Sequence, residues 1–318
     1  MNRPSPAPTA SAEKAEGLII GKDMGTPSDR RTPEEASASA TKARRVKLIR
    51  PPSLSPVHCF RSLASLTQYV DLLLTLSLHR LKVRYKQSLL GWAWALLQPL
   101  ALMAIYTVIF SMVTKVPSEG LPYPVFVYAA LLPWAYFSNA LTASASSLVT
   151  HQQLITKVYF PREILPLSYV AVGVVDFLVA STVLAGLMIY HHVAITANAL
   201  YLVPILLVET AFIIGLSLLL AAIQVDFRDV GLAMPLLLQL WMFASPVVYP
   251  LAQVPARLRG VYLLNPMAGI VENFRRVLLQ GRPPDFESLN TAALISFLFL
   301  PLAYLYFKAR EATMADVI

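Results

Sequence analysis

Few side chains in this sequence are of a type and spacing that could do chemistry. Asp176 and Glu209 are acids set inside long apolar runs, where a charge is costly. An acid in such a place is a functional candidate, for instance in a proton relay, or else a group hydrogen-bonded within a helix bundle. The segment Gly17 to Asp23, GLIIGKD, loosely resembles a phosphate-binding loop. It has one residue too few between its glycines, and Asp stands where Ser or Thr should meet magnesium, so no ATP site is expected there. His191 and His192 lack the neighbouring carboxylates or thiols that would complete a metal site. Asp226 and Asp229 are a close acid pair in a tiny loop, short of the acidic cluster a membrane glycosyltransferase would need. Cys59 is the single cysteine, which excludes an internal disulfide and any multi-cysteine metal site. No catalytic residue, metal or cofactor is expected on this chain.

The elements that must position these residues are membrane helices. The chain is 56% hydrophobic and 14% charged, with a mean hydropathy of +0.59. Its 318 residues leave room for about six spans. The net charge of +8 could suggest nucleic acid, but ten of the 26 Lys and Arg fall between Lys42 and Lys86, beside the first span. That cluster reads as contact with anionic lipid and as a topology signal. Between Lys86 and Lys115 lie 28 uncharged residues, while roughly 20 apolar residues cross a bilayer core. Arg80, Lys82, Arg84 and Lys86 just before this run favour a cytoplasmic N-terminus.

The pattern predicts an all-α integral membrane protein with spans near 92–113, 125–149, 167–190, 200–223, 230–249 and 289–307, both termini being cytoplasmic. Residues 1–56 read as a disordered cytoplasmic tail rather than a signal peptide. Residues 57–90 form an amphipathic interface-helix region, and 91–318 the six-span transmembrane domain. In the interface helix Leu66, Tyr69, Val70, Leu73, Leu76 and Leu81 crowd one side, with Asp71, Arg80, Lys82, Arg84 and Lys86 as its polar residues. A helix of that kind is expected to lie in the plane of the membrane surface. Between spans 5 and 6, Asn265 reads as an N-cap, Pro266 as the first helical residue and Gly281 as a helix end. Met267, Ile270, Val271, Phe274, Val277 and Leu278 fall at helical spacing opposite Glu272, Arg275, Arg276 and Gln280. This predicts an amphipathic or re-entrant helix at the external mouth. Cations near span ends number nine inside and six outside, a weak bias, so the orientation rests on the first span.

The run RYKQSLLGWAWALLQP (Arg84 to Pro99), with FPREILP at Phe160 to Pro166, FRD at Phe227 to Asp229, SPVVYP at Ser245 to Pro250 and LNPM at Leu264 to Met267, resembles the permease subunits of bacterial ABC exporters for lipid-linked polysaccharides, of O-antigen, teichoic acid or capsule type. The resemblance covers Leu66 to the C-terminus. It implies a six-span half-transporter in the inner membrane that pairs with itself and with two copies of a separate ATPase, which would hold the ATP and magnesium. It also implies that His151 to Phe160 forms a coupling helix docked on that ATPase, through Leu154, Lys157, Phe160, Arg162 and Glu163, and that the segment between spans 5 and 6 forms paired re-entrant helices.

A hydrated glycan cannot shed its hydrogen bonds into lipid, so it needs a lumen, and six spans enclose little of one. A dimer interface is the natural channel for a lipid-linked polysaccharide. Trp92, Trp94, Tyr106, Phe110, Trp134 and Phe137 are candidates to line it, although Trp near a span end also serves as an interfacial anchor. Arg84 and Lys86 are topology signals that could also bind the substrate's pyrophosphate head group, and Asn265, Arg275 and Arg276 belong to the external mouth. The alternatives are a proton-coupled carrier using Asp176 and Glu209, an exporter of a different cargo, or a membrane glycosyltransferase.

Overall fold

Backbone amides and carbonyls inside apolar runs have no water to bond, so each run must satisfy them internally as a helix. A computed structural model describes residues 67–86, 93–113, 118, 120–158, 160–311 and 313–314. The tail 1–56, the start of the interface region and Trp92 lie outside the described residues. Among the described residues every regular element is helical. Helix α1 spans Val70–Lys86, α2 Ala93–Tyr106 with a π-helical continuation Thr107–Val113, α3 Tyr123–Ala145, α4 Gln152–Lys157 and α5 Ile164–Tyr190. There follow α6 at Leu202–Asp226, α7 at Asp229–Phe243, α8 at Ala256–Leu263, α9 at Pro266–Leu278 and α10 at Phe286–Glu311. Four of these, α3, α5, α6 with the turn before it, and α10, are long and apolar enough to cross a membrane. The apolar stretch in α2 and its continuation, and α7, are shorter.

Helix α3 is the axis of the bundle. It is apolar on every side, and 78% of its most apolar window is buried, against 28% for α10. Such a helix must be surrounded. It packs on α5, α6, α9 and α2. Tyr128, Phe126 and Phe137 on α3 join Phe212 of α6 and Phe274 of α9 in the principal core. A second, smaller core gathers Leu148, Ile155, Phe160 and Ile164 with Leu218, Ala221 and Val225 of α6 and Tyr304 and Phe307 of α10. The principal core runs along most of α3 and α5; the end of the bundle with α4 and the smaller core is called here the α4 end, and the end where α10 begins against α9 the α9 end.

Helix α1 is present where the sequence predicts a helix, and it packs along α5. Ser77 reaches the Ser168 carbonyl, the Arg80 guanidinium lies 3.6 Å above the Tyr169 ring, Leu81 meets Val172, and Arg84 pairs with Asp176. The partners advance together, so α1 runs alongside the first half of α5 and in the same direction. The side expected to be apolar largely turns inward: Tyr69, Leu73 and Leu76 pack on the smaller core and Leu81 is buried, Val70 being the exposed exception. Contact with α5 adds Ser77 and Arg80 to that inward face.

Between α7 and α10 the chain forms α8 and α9 as the sequence predicts. Asn265 caps α9 by accepting from the Met267 amide at 3.1 Å. Gly281 takes a φ of +62°, a left-handed turn that suits glycine. Helix α9 is nearly all buried, and its Phe274 ring meets Phe177, halfway along α5, at 6.1 Å. Its approach to α10 is close enough that a Cβ on Gly269 would stand 2.8 Å from the Ser288 carbonyl oxygen.

Candidate docking face, cleft and mouth

At the α4 end, α4 is a six-residue helix held by one side only. Ile155 and Phe160 anchor it in the smaller core, with Leu154 packed against that cluster. Gln152, Gln153, Thr156, Lys157 and Val158 are exposed and form an outward face. His151, just before α4, is held by the Ser147 carbonyl at 3.0 Å. Burial lowers its pKa below 6.5, the bond to Ser147 opposes the shift, and Arg80 adds to it.

Arg162 and Glu163 do not belong to that outward face, which corrects the expectation for Glu163 above all. Its side chain is 0% exposed and pairs with Lys308 at 2.7 Å. Lys308 also pairs with Glu311 at 2.9 Å. The Arg162 amide donates to the Glu311 carboxylate at 3.3 Å, and its guanidinium donates to the Glu311 carbonyl. Burial pushes the Glu163 carboxyl up, and the Lys308 ammonium opposes it. The physical reason is that α10 ends beside the start of α5, where a buried acid needs a cation. Of the five residues expected to dock, Lys157 is exposed and Leu154 partly so, while Phe160 is an anchor.

A second feature lies along α1. Arg84 donates to Asp176 at 2.6 Å, with the Arg84 side chain half exposed and Asp176 mostly covered. The pair borders a cavity of about 120 Å³ that also takes in Trp94, Gln98, Tyr136 and Asn139. Asp176 is therefore an ion-paired acid beside a cleft of mainly apolar lining, and Lys86 is exposed. Glu209 differs: it is 0% exposed, and neither carboxylate oxygen has a hydrogen-bond partner among the described residues.

The aromatic candidates separate in the same way. Trp94 is 54% exposed, and Tyr106 and Phe110 are half-buried, edge to face at 6.0 Å. Trp134 and Phe137 are buried, Phe137 being stacked on Phe212 at 5.8 Å and edge-on to Trp241 at 5.1 Å. Phe137 is a core residue of this chain, whereas Trp134, although mostly buried, also borders the cavity beside Arg84 and Asp176.

At the α9 end, Asn265 joins α7 to α9: its oxygen accepts from Trp241 at 3.0 Å and its amide donates to Ser245 at 2.9 Å. Arg275, expected to face outward, is only 2% exposed. It lies 4.1 Å over Phe126, donates to the Pro246 carbonyl at 2.7 Å and pairs with Glu272 at 2.9 Å. Arg276 donates to the Pro283 carbonyl at 2.8 Å. Both arginines brace the loops on either side of α9. Among the described residues no group of three or more His, Cys, Asp or Glu could hold a metal. Lys308 and Glu311 were not singled out from sequence; the usable signal was a cation ending the last apolar run and an acid opening another.

The model for ABC-2 type transporters matches residues 71–279, from α1 to the end of α9. The chain belongs to the ABC-2 type transporter family. It is 33% identical over 261 residues to an O-antigen export system permease protein, RfbA, of Myxococcus xanthus, covering 81% of this chain and 99% of that one. It is 26% identical over 249 residues to the RfbA of Klebsiella pneumoniae, covering 78% and 95%. It is also 26% identical over 245 residues to the polysialic acid transport protein KpsM of Escherichia coli, covering 75% and 93%. With its apolar helices, family membership makes this chain a multi-pass membrane protein.

Proposed function

We propose that this chain is the membrane-spanning subunit of an ATP-driven exporter of a lipid-linked polysaccharide of O-antigen type, in the bacterial inner membrane. The observation that carries the reading is the alignment with the Myxococcus relative, which runs through 99% of that permease. Six crossings follow if α2 with its continuation, 14 and 7 residues, and α7, 15 residues, complete the count begun by the four longer helices. Both termini and the α4 end then face the cytoplasm, and α9 enters the bundle from outside as a re-entrant helix. Two copies pair around a shared lumen, since this chain's aromatic core is closed. Trp94, Tyr106 and Phe110, which keep exposed surface, suit a sugar's C–H faces along such a lumen. Arg84 and Lys86 remain the cations nearest an incoming pyrophosphate.

The power stroke comes from two copies of an ATPase subunit, which binds the ATP and magnesium. It docks on the outward face of α4, where Lys157 is the exposed charge. To test this, the chain is deleted in its native bacterium and complemented with wild type or K157E. Restoration of surface polysaccharide by wild type, and at least tenfold weaker capture of the ATPase by K157E, are expected. Normal surface polysaccharide in the deletion strain would refute the function, and unchanged capture would refute the docking face.

The unpartnered carboxyl of Glu209 favours a second reading, a proton-coupled carrier. E209Q decides between them: an exporter driven by ATP keeps its transport, a carrier loses it.

A further inference from the structure

Helix α10 touches both ends of the molecule. At the α4 end Lys308 pairs with Glu163, the residue directly before α5, and Glu311 takes the Arg162 amide. Arg162 and Glu163 follow the docking segment after only Pro161, and Phe160 shares the smaller core with Tyr304 and Phe307 of α10. At the other end Ser288, in the first turn of α10, accepts from Asn273 of α9 at 2.9 Å, and its carbonyl fills the space a side chain on Gly269 would need. Asn273 also accepts from the Asp285 amide at 2.6 Å. One helix of 26 residues, about 39 Å long, therefore joins the docking segment to α9.

The two junctions are directional contacts. Apolar packing alone lets surfaces slide, whereas a buried ion pair and paired hydrogen bonds hold one register. Between the junctions α10 contains Pro301, where a helix can bend. There it lies against α6, with Phe299 and Leu300 3.1 and 3.2 Å from the position of a Cβ on Gly215. At its end Arg310 pairs with Asp226 of α6 at 3.2 Å. The helix is supported from the side around Pro301, so displacement at one end reaches the other.

We infer that Lys308 and Glu311 are positioning residues that transmit movement of the docking segment through α10 to α9, so that the external mouth opens in step with nucleotide binding on the opposite face. The inference rests on the exporter reading, because it needs an ATPase on α4. It assigns a task to residues beyond the 71–279 match to the family. It also assigns no contact with cargo to any of them.

The test uses the full complex with its cognate ATPase in lipid vesicles. E163Q/K308M removes both charges together, so that neither is left buried and alone, and K308R preserves the pairing. A spin label replaces exposed Leu258 on α8, next to α9, and distances between the labels of the two copies are read with and without a non-hydrolysable ATP analogue. Wild type and K308R are expected to show a nucleotide-dependent change in distance. E163Q/K308M is expected to keep ATPase binding and hydrolysis within twofold, lose that change, and export at least tenfold less polymer. A wild-type distance change in E163Q/K308M, or export within twofold of wild type, overturns the inference. So does failure of E163Q/K308M to assemble, which would make the pair a requirement of folding. A wild-type complex that binds ATPase and shifts its labels but moves no glycan would instead defeat the exporter reading alone.

Discussion

The two ends of the bundle are built from the same kinds of residues, but they connect them differently. At the α4 end, charges pair with charges across helices: Glu163 with Lys308, and Arg310 with Asp226. At the α9 end, Asn265, Asn273, Arg275 and Arg276 reach mainly backbone oxygens and neighbouring hydroxyls. A side chain that binds a carbonyl in its own loop fixes that loop's shape. A pair that joins two helix ends fixes where those helices stand relative to each other. The α9 end thus combines braced loops with a hydrogen-bonded tie between α9 and α10, and the α4 end is a charge-paired junction between helix ends.

That contrast can be broken first at the junction. K308M leaves Glu163 buried and uncompensated, and an uncompensated buried charge costs about 3–5 kcal/mol. Thermal unfolding in detergent should fall steeply for K308M and recover most of the loss in E163Q/K308M. A double variant as unstable as the single one would mean that packing, not charge, holds this end.

At the α9 end, R275A removes a buried guanidinium from the Pro246 carbonyl and from Glu272. Leaving such partners unpaired costs about 2–3 kcal/mol. Proteolysis should then open the loop 245–255 before the rest of the protein. R275K should not restore the wild type, because an ammonium lacks the planar fork and the flat contact over Phe126. Equal protection of that loop in R275A would show that it is held by other means.

The Arg84 to Asp176 pair allows a smaller prediction. Arg84 is half exposed, so the pair is worth under about 1 kcal/mol and should weaken with salt. R84A and D176A should each change the unfolding temperature little, and their combination no more than the sum. Strong coupling between them would place the pair in a drier site than its exposure indicates.

The smallest effect concerns His151, whose pKa lies below 6.5 in the folded chain. A depressed pKa favours the neutral ring, so its contribution to stability is complete above pH 6.5 and is lost as the pH falls through the lowered value. Unfolding curves for wild type and H151N should run in parallel above pH 7 and converge as the pH falls below 6.5. Parallel curves throughout would remove His151 from the pH response.

Elements bounded by local signals were legible in the sequence. Asn265, Pro266 and Gly281 delimit α9 through the chemistry of their own backbone and side chains, the expected span near 167–190 lies within α5, and that near 200–223 lies within α6 and the turn before it. Residues whose role depends on a distant partner were not. Glu163 and Lys308 stand 145 positions apart, and nothing local says that they meet. Arg275 sits on the polar side of a periodic pattern and was expected to face water. In the folded chain the Pro246 carbonyl and the Phe126 ring cover that side, so it is buried.

Hydropathy, helix caps and motif order therefore determined by themselves that this chain is a helical membrane protein of the exporter kind, because lipid forces each apolar run to close its own hydrogen bonds. Which polar residues stay outside and which become internal ties was decided only by tertiary packing. A buried charge takes its meaning from the one neighbour that compensates it, and that neighbour is supplied by the fold.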